Sequence, residues 1–266
     1  MKNNLKTGLS KRFQPGPLIY SLKYKGSSFV VFILMWWVLS LVYPIVPAPG
    51  EVAAISSRNI AEGLVWPHFY ATFTRIMAAL FFSLLIGLAV GIPMGLYRKV
   101  EMYLDFWVLA GIMIPATSYG VVILIIFGLN NYAAITAITL TACPVMIISV
   151  WKGIKSIDNG LNDMARAFRM PAGERLFKVI LPQLYPTLMG TLRYGLGVIW
   201  KITVVIELLA LTSGVGYMLM YWFSFFRMGQ VLSWTLMFTL VILVFEWAFL
   251  SALERKLMGW KEQVRF

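Results

Sequence analysis

One cysteine, one histidine and eleven acidic residues are all that 266 positions offer to the common kinds of catalysis and metal binding. Cys143 has no second thiol, so neither an intrachain disulfide nor a cysteine-based metal cage can form. His68 has no Cys or His companion, and a lone histidine is far more often a polar residue at an interface than a ligand or a base. It is given no chemistry. With one histidine there is no His-Glu-x-x-His zinc helix and no base for a Ser/His/Asp set. No Gly-x-x-x-x-Gly-Lys-Ser/Thr loop exists to cradle phosphates, so the chain is not expected to hydrolyse ATP by itself. Neither a cofactor nor a metal is expected in it.

What is abundant is apolar. Sixty per cent of the residues are hydrophobic and 13% charged, with ten tryptophans, a composition of the membrane class. A net charge of +12 would suggest nucleic acid in a soluble protein. Here the basic residues gather in short segments beside apolar runs, where they orient a membrane protein. The expected medium is a lipid bilayer, and no nucleic-acid partner is expected.

A spanning helix needs roughly 20 mainly apolar residues. Six runs qualify: about 28–47, 69–96, 104–128, 132–151, 186–211 and 231–253. The first is long enough to span and lacks a small-residue cleavage site, which predicts a retained span rather than a signal peptide. Residues 1–26 hold Lys2, Lys6, Lys11, Arg12, Lys23 and Lys25 and no acid, which places that segment in the cytoplasm. The loop 152–182 and the tail 254–266 then fall on the same side and are also basic, while 48–67, 129–131 and 212–230 are charge-poor. The expectation is an all-α integral membrane protein with a six-span domain over 27–253 and both termini cytoplasmic.

Local signals refine this. Pro47-Ala48-Pro49-Gly50 ends the first helix, and 48–67 reads as a short amphipathic helix on the outer surface. Ser213-Gly214-Val215-Gly216, followed by Tyr217, Tyr221, Trp222, Phe223, Phe225 and Phe226, reads as a break and an interfacial or re-entrant segment. Gly87, Gly91 and Gly95 fall four apart on one helix face, a spacing that permits close approach of another backbone. Pro93, Pro115 and Pro144 are expected to bend or break their spans. No inverted repeat is evident.

The charged island at 152–182 reads as two short helices separated by Met170-Pro171-Ala172-Gly173. A helix-turn-helix knob of that kind can insert Ala165, Ala167 and Phe168 into a groove on a partner while Asp163 and the nearby cations fix orientation. The plainer reading is a solvated basic loop that only sets topology.

The stretch Asp163-Met164-Ala165, ending at Leu181-Pro182, resembles the "EAA" loop of ABC-importer permeases, which docks on an ATPase. Matches continue over about residues 46–260. They include Pro47-Ala48-Pro49, Arg75, Gly91-Ile92-Pro93-Met94-Gly95, Ile114-Pro115, Phe127-Gly128, Gly190 with Arg193, Glu207, and Gly214-Val215-Gly216. In this order they are similar to six-span permeases of the nitrate/sulfonate/taurine group. The resemblance implies the type I ABC-importer permease fold in a bacterial inner membrane. It also implies a cytoplasmic ATPase dimer that binds ATP and Mg, a second permease copy or paralogue, and an external or periplasmic solute-binding protein. It marks Asp163, Ala165, Ala167, Phe168, Arg169 and Gly173 as ATPase-coupling residues. Two departures stand out: the usual Glu-Ala-Ala is Asp163-Met164-Ala165, and the family's glycine six positions on is Arg169, a long cation expected to alter docking.

Arg75, Arg193, Lys201, Glu207 and Glu246 lie in or near the predicted spans, where ionised groups are costly unless paired or wetted. Arg193 and Lys201 are about 80° apart around a helix axis. With Arg75 and Glu207 they form the candidate pathway set, and a positive lining favours an anion. Against this stands structural pairing of each charge with neighbouring helices. The rivals to an ATP-driven permease are an ion-coupled transporter or channel using Glu207 and Glu246, and a membrane scaffold that transports nothing.

Overall fold

A computed structural model of the chain describes residues 17–258. The basic positions Lys2, Lys6, Lys11 and Arg12, and the end of the tail with Lys261 and Arg265, lie outside the described residues.

Among the described residues the chain is helical throughout. Helix α1 covers Pro17–Val42 and α2 covers Pro49–Ala61. The first helix stops before the expected Pro47. Pro44 disfavours helical geometry at Tyr43, and the chain turns there, with the Val46 amide donating to the Tyr43 carbonyl at 2.9 Å. The described residues up to Ala54 and those from Ile55 onward form separate compact units.

In the second unit α3 runs over Val65–Leu96, α4 over Arg98–Met113, α5 over Ala116–Phe127 and α6 over Asn131–Lys155. The island follows as α7 (Asn159–Ala167), α8 (Ala172–Arg175) and a π-helical turn over Leu176–Ile180. Last come α9 (Leu181–Ala210), α10 (Val215–Ser224) and α11 (Met228–Met258). Among the described residues four helices are each long and apolar enough to cross a membrane, and two bent pairs raise the count to as many as six. One bent pair is α4 and α5, which meet at 94°; the other is the helix through Ala172–Ala210 with α10, at 48°.

The three prolines behave differently. Pro93 and Pro144 sit inside continuous helices. Only Pro115 breaks a span: it holds Ile114 in an extended conformation (φ −72°, ψ 125°), which ends α4.

The glycine ladder packs α3 on α6. A Cβ on Gly87 would lie 2.8 Å from Met146 Cβ, and one on Gly91 would lie 2.8 Å from Val150 Cβ, while one on Gly95 would overlap the Ile154 side chain. Dispersion between closely approached backbones drives such pairs, because lipid removes the usual hydrophobic gain. Around this pair a core forms from Ile76, Ile138, Leu196, Ile206 and Trp234, all essentially inaccessible. The core ties α3, α6, α9 and α11 into one bundle.

Candidate functional site

Three places gather the charged and polar side chains. The first is a buried network where α3, α9 and α10 meet. Arg75 is 4% exposed and Glu207 is 0% exposed. The Arg75 guanidinium donates to Glu207 Oε1 at 2.5 Å, to the Ser213 carbonyl and Oγ at 2.8 Å each, and through Nε to Asn131 Oδ1 at 2.6 Å. Glu207 Oε2 in turn accepts from Thr72 Oγ1 at 2.8 Å and from the Gly216 amide at 3.0 Å.

This network also explains why α10 can begin deep in the protein. The first amides of a helix lack intrahelical acceptors. Here Gly214 N–H donates to His68 Nδ1 at 3.2 Å, Val215 N–H to Thr72 Oγ1 at 2.8 Å, and Gly216 N–H to Glu207. Gly214 has φ +112°, a region open almost solely to glycine, and a Cβ there would overlap the Glu207 carboxylate. A Cβ on Gly216 would overlap the Val204 carbonyl. His68, given no role from sequence, is a cap for this helix and stacks on Tyr217. Arg75 and Glu207 are therefore brought together; Arg193 and Lys201 are elsewhere. Arg193 pairs at 3.0 Å with Glu254 on α11, an exposed contact, and Lys201 is exposed with its ammonium 5.8 Å from the Trp200 ring centroid.

The second place is an acidic residue that the sequence reading passed over. Glu101, in the first turn of α4, is nearly buried and bonded to Arg98 at 3.1 Å and to Lys155 at the end of α6. An acid in a first turn near cations is the signal that marks it. It fastens α4 to the base of the island.

The third is the island itself. Asp158 caps α7, its Oδ1 accepting from Gly160 N–H at 2.8 Å, and its own amide donates to Gln183 at the start of α9 at 3.1 Å. Ala165 is only 2% exposed and faces the chain's own interior. Ala167 is exposed, and Phe168 is 79% exposed. Leu161 and Met164, which the sequence reading did not single out, are exposed too. With Phe168 they follow an i, i+3, i+7 spacing and share one helix face. Asp163 makes a long exposed contact of 3.8 Å to Arg166.

Arg169 takes a different meaning from its backbone. Its φ is +51°, and the amides of Arg169 and Met170 donate to Arg166 and Ala165 carbonyls at 2.9 and 3.0 Å. That is a helix end of the Schellman kind, with the left-handed position occupied by arginine where glycine is usual. Gly173 lies within α8 with open space around it. The left-handed turn is made at Arg169.

A helical bundle with several helices long and apolar enough to span a bilayer, a broken span and an amphipathic knob between two long helices defines the class: a multi-span helical membrane protein. The chain belongs to the family of binding-protein-dependent transport system inner membrane components, whose model matches residues 83–257. It is therefore a permease subunit of an ABC transporter. It is 30% identical over 258 residues to the taurine transport system permease protein TauC of Escherichia coli (strain K12), covering 94% of each chain. It is 31% identical over 150 residues to the bicarbonate transport system permease protein CmpB of Synechococcus elongatus, covering 56% of this chain and 54% of that one. The fold is similar to that of a chain in an inward-facing structure of the MetNI methionine ABC transporter. The TM-score is 0.66 at 19% identity, over 74% of this chain and 97% of that one.

Proposed function

We propose that this chain is one of two membrane subunits of an ATP-driven importer for a small anionic solute. Residues 27–253 form the permease domain, crossing a bacterial inner membrane six times, and residues 1–26, 152–182 and 254–266 face the cytoplasm. Each bent helix pair then counts as one crossing, and the basic residues on these segments agree with the side assigned to them. A second copy or a paralogue completes the pathway, an external binding protein delivers the solute, and two cytoplasmic ATPases bind ATP and Mg. The chain holds no nucleotide itself.

The observation that carries the reading is the apolar face of α7. Leu161, Met164 and Phe168 stand out from a charged segment, a pattern suited to a groove on a partner. The segment continues directly into α9 and is bonded to it through Gln183, so a displacement of α7 is passed to the bundle. ATP-driven closure of the ATPases would in this way rock the two bundles between inward-open and outward-open states.

An anionic group on the solute is supported by the relatives, named for taurine, a zwitterion whose acidic group is a sulfonate, and for bicarbonate. It is supported also by Lys201 of α9, which takes part in none of the ion pairs among the described residues. The ion-coupled alternative loses ground because Glu207, one of its two candidate acids, is saturated by Arg75, Thr72 and Gly216.

The test is uptake of taurine and ethanesulfonate by proteoliposomes carrying the complete transporter. Uptake that needs ATP and the binding protein is expected. Uptake that follows a proton or sodium gradient without ATP would overturn the reading.

A further inference from the structure

Lys201 takes part in none of the ion pairs among the described residues. It stands on α9 nine residues before Ala210 and twenty after Leu181, so about 14 and 30 Å of helix rise separate it from the two ends. A lysine stem carries its ammonium to the interface only from near a helix end. Deeper, an ionised side chain that faces hydrocarbon is costly, which confines such residues to partners, cavities and solute pathways.

Beside Lys201 the surface opens into a cavity of about 400 Å3, within the range of small-molecule sites. Thr141 of α6 and the break between α4 and α5 form its other sides. The break is held in place: the Tyr119 hydroxyl donates to the Gly111 carbonyl at 3.0 Å, and a Cβ on Gly111 would lie 2.9 Å from Pro144 on α6. Yet it faces outward, with Met113 83% exposed. Non-helical backbone at membrane depth occurs where it is covered by protein or lines a water-filled space. A cation without a counterion and an open break in a span are independent observations, and both fall on this one cavity.

We propose that the cavity is an anion subsite of the translocation pathway, where Lys201 holds the sulfonate or carboxylate group of the passing solute and the aliphatic walls receive its alkyl part. The proposal rests on the reading of the chain as an importer subunit for small anions.

Two measurements separate the fates of the two ideas. In the reconstituted transporter, Lys201→Gln is expected to lower ethanesulfonate uptake by about tenfold or more, the scale of one lost charge-assisted hydrogen bond. Lys201→Arg should restore most of it. Wild-type uptake by Lys201→Gln overturns the subsite and leaves the importer reading standing. The second measurement places a cysteine on the facing wall of the cavity, as Thr141→Cys in a Cys143→Ser background with Lys201 kept, and follows its reaction with a membrane-impermeant thiosulfonate reagent. Labelling that ethanesulfonate slows is expected; absent or unaffected labelling overturns the subsite. If the wild-type complex moves neither taurine nor ethanesulfonate, the reading of the chain as a sulfonate importer fails, and the thiol assay alone decides the subsite.

Discussion

At the scale of single residues, the Arg75–Glu207 pair is the most consequential contact in the bundle. Its two charges are out of solvent and every side-chain nitrogen of Arg75 and oxygen of Glu207 has a hydrogen-bond partner, so removing one residue strands the other. Arg75→Met is expected to cost about 3–5 kcal/mol, seen as a lower thermal midpoint of the purified protein in detergent. The double variant Arg75→Met, Glu207→Leu should lose less than Arg75→Met alone, because no charge is then left unpaired. A double variant as unstable as the sum of the singles would refute the coupling. Both residues were legible in the sequence as charges inside apolar runs. That they meet was not, because 132 positions separate them and only the fold closes that distance. The partners Thr72 and Asn131 were hidden for a simpler reason. Small polar residues are common in apolar helices and carry no periodic signal.

At the scale of elements, the knob and the helix breaks show which local signals suffice. The turn between α7 and α8 was legible from Pro171, and the break at 114–115 from Pro115, since proline acts through its own covalent geometry. The backbone at Arg169 was not legible. Resemblance to the family marked the missing glycine as a matter of contact, whereas the positive φ makes it a matter of conformation. Arg169→Gly should therefore stabilise the knob by about 1 kcal/mol, the cost of a left-handed conformation for a residue with a Cβ. Hydrogen exchange at the amides of 165–170 reads this directly, and unchanged or faster exchange contradicts it. The exposed face proposed for docking was half legible. Ala165 turned out to face inward, and the i, i+3, i+7 spacing of Leu161, Met164 and Phe168 would have found the outward residues. Phe168→Ser is expected to leave the fold intact and to abolish stimulation of the ATPase by the binding protein. Full stimulation in that variant would remove Phe168 from the coupling surface.

For the whole molecule, the glycine ladder of α3 sets how closely the two central helices approach. A larger residue at Gly91 must push α3 from α6, because Val150 Cβ and the Ile147 carbonyl already occupy the space. Gly91→Leu should lower the yield of folded protein in the membrane, by overpacking of about 1–3 kcal/mol. A yield equal to wild type would show that the pair tolerates separation. The all-helical membrane class was legible from composition alone, and the helices fall close to the apolar runs. What composition could not show is the bending of α4 against α5 and of α9 against α10, which decides whether each pair is one crossing. We propose that this bundle works as half of a membrane pathway driven through its knob by separate ATPases. This role is tested most directly by the mass of the complex that co-purifies with the chain from its native membrane in mild detergent. The account predicts two permease chains with two nucleotide-binding subunits; a chain that emerges alone, or only with copies of itself, would contradict it.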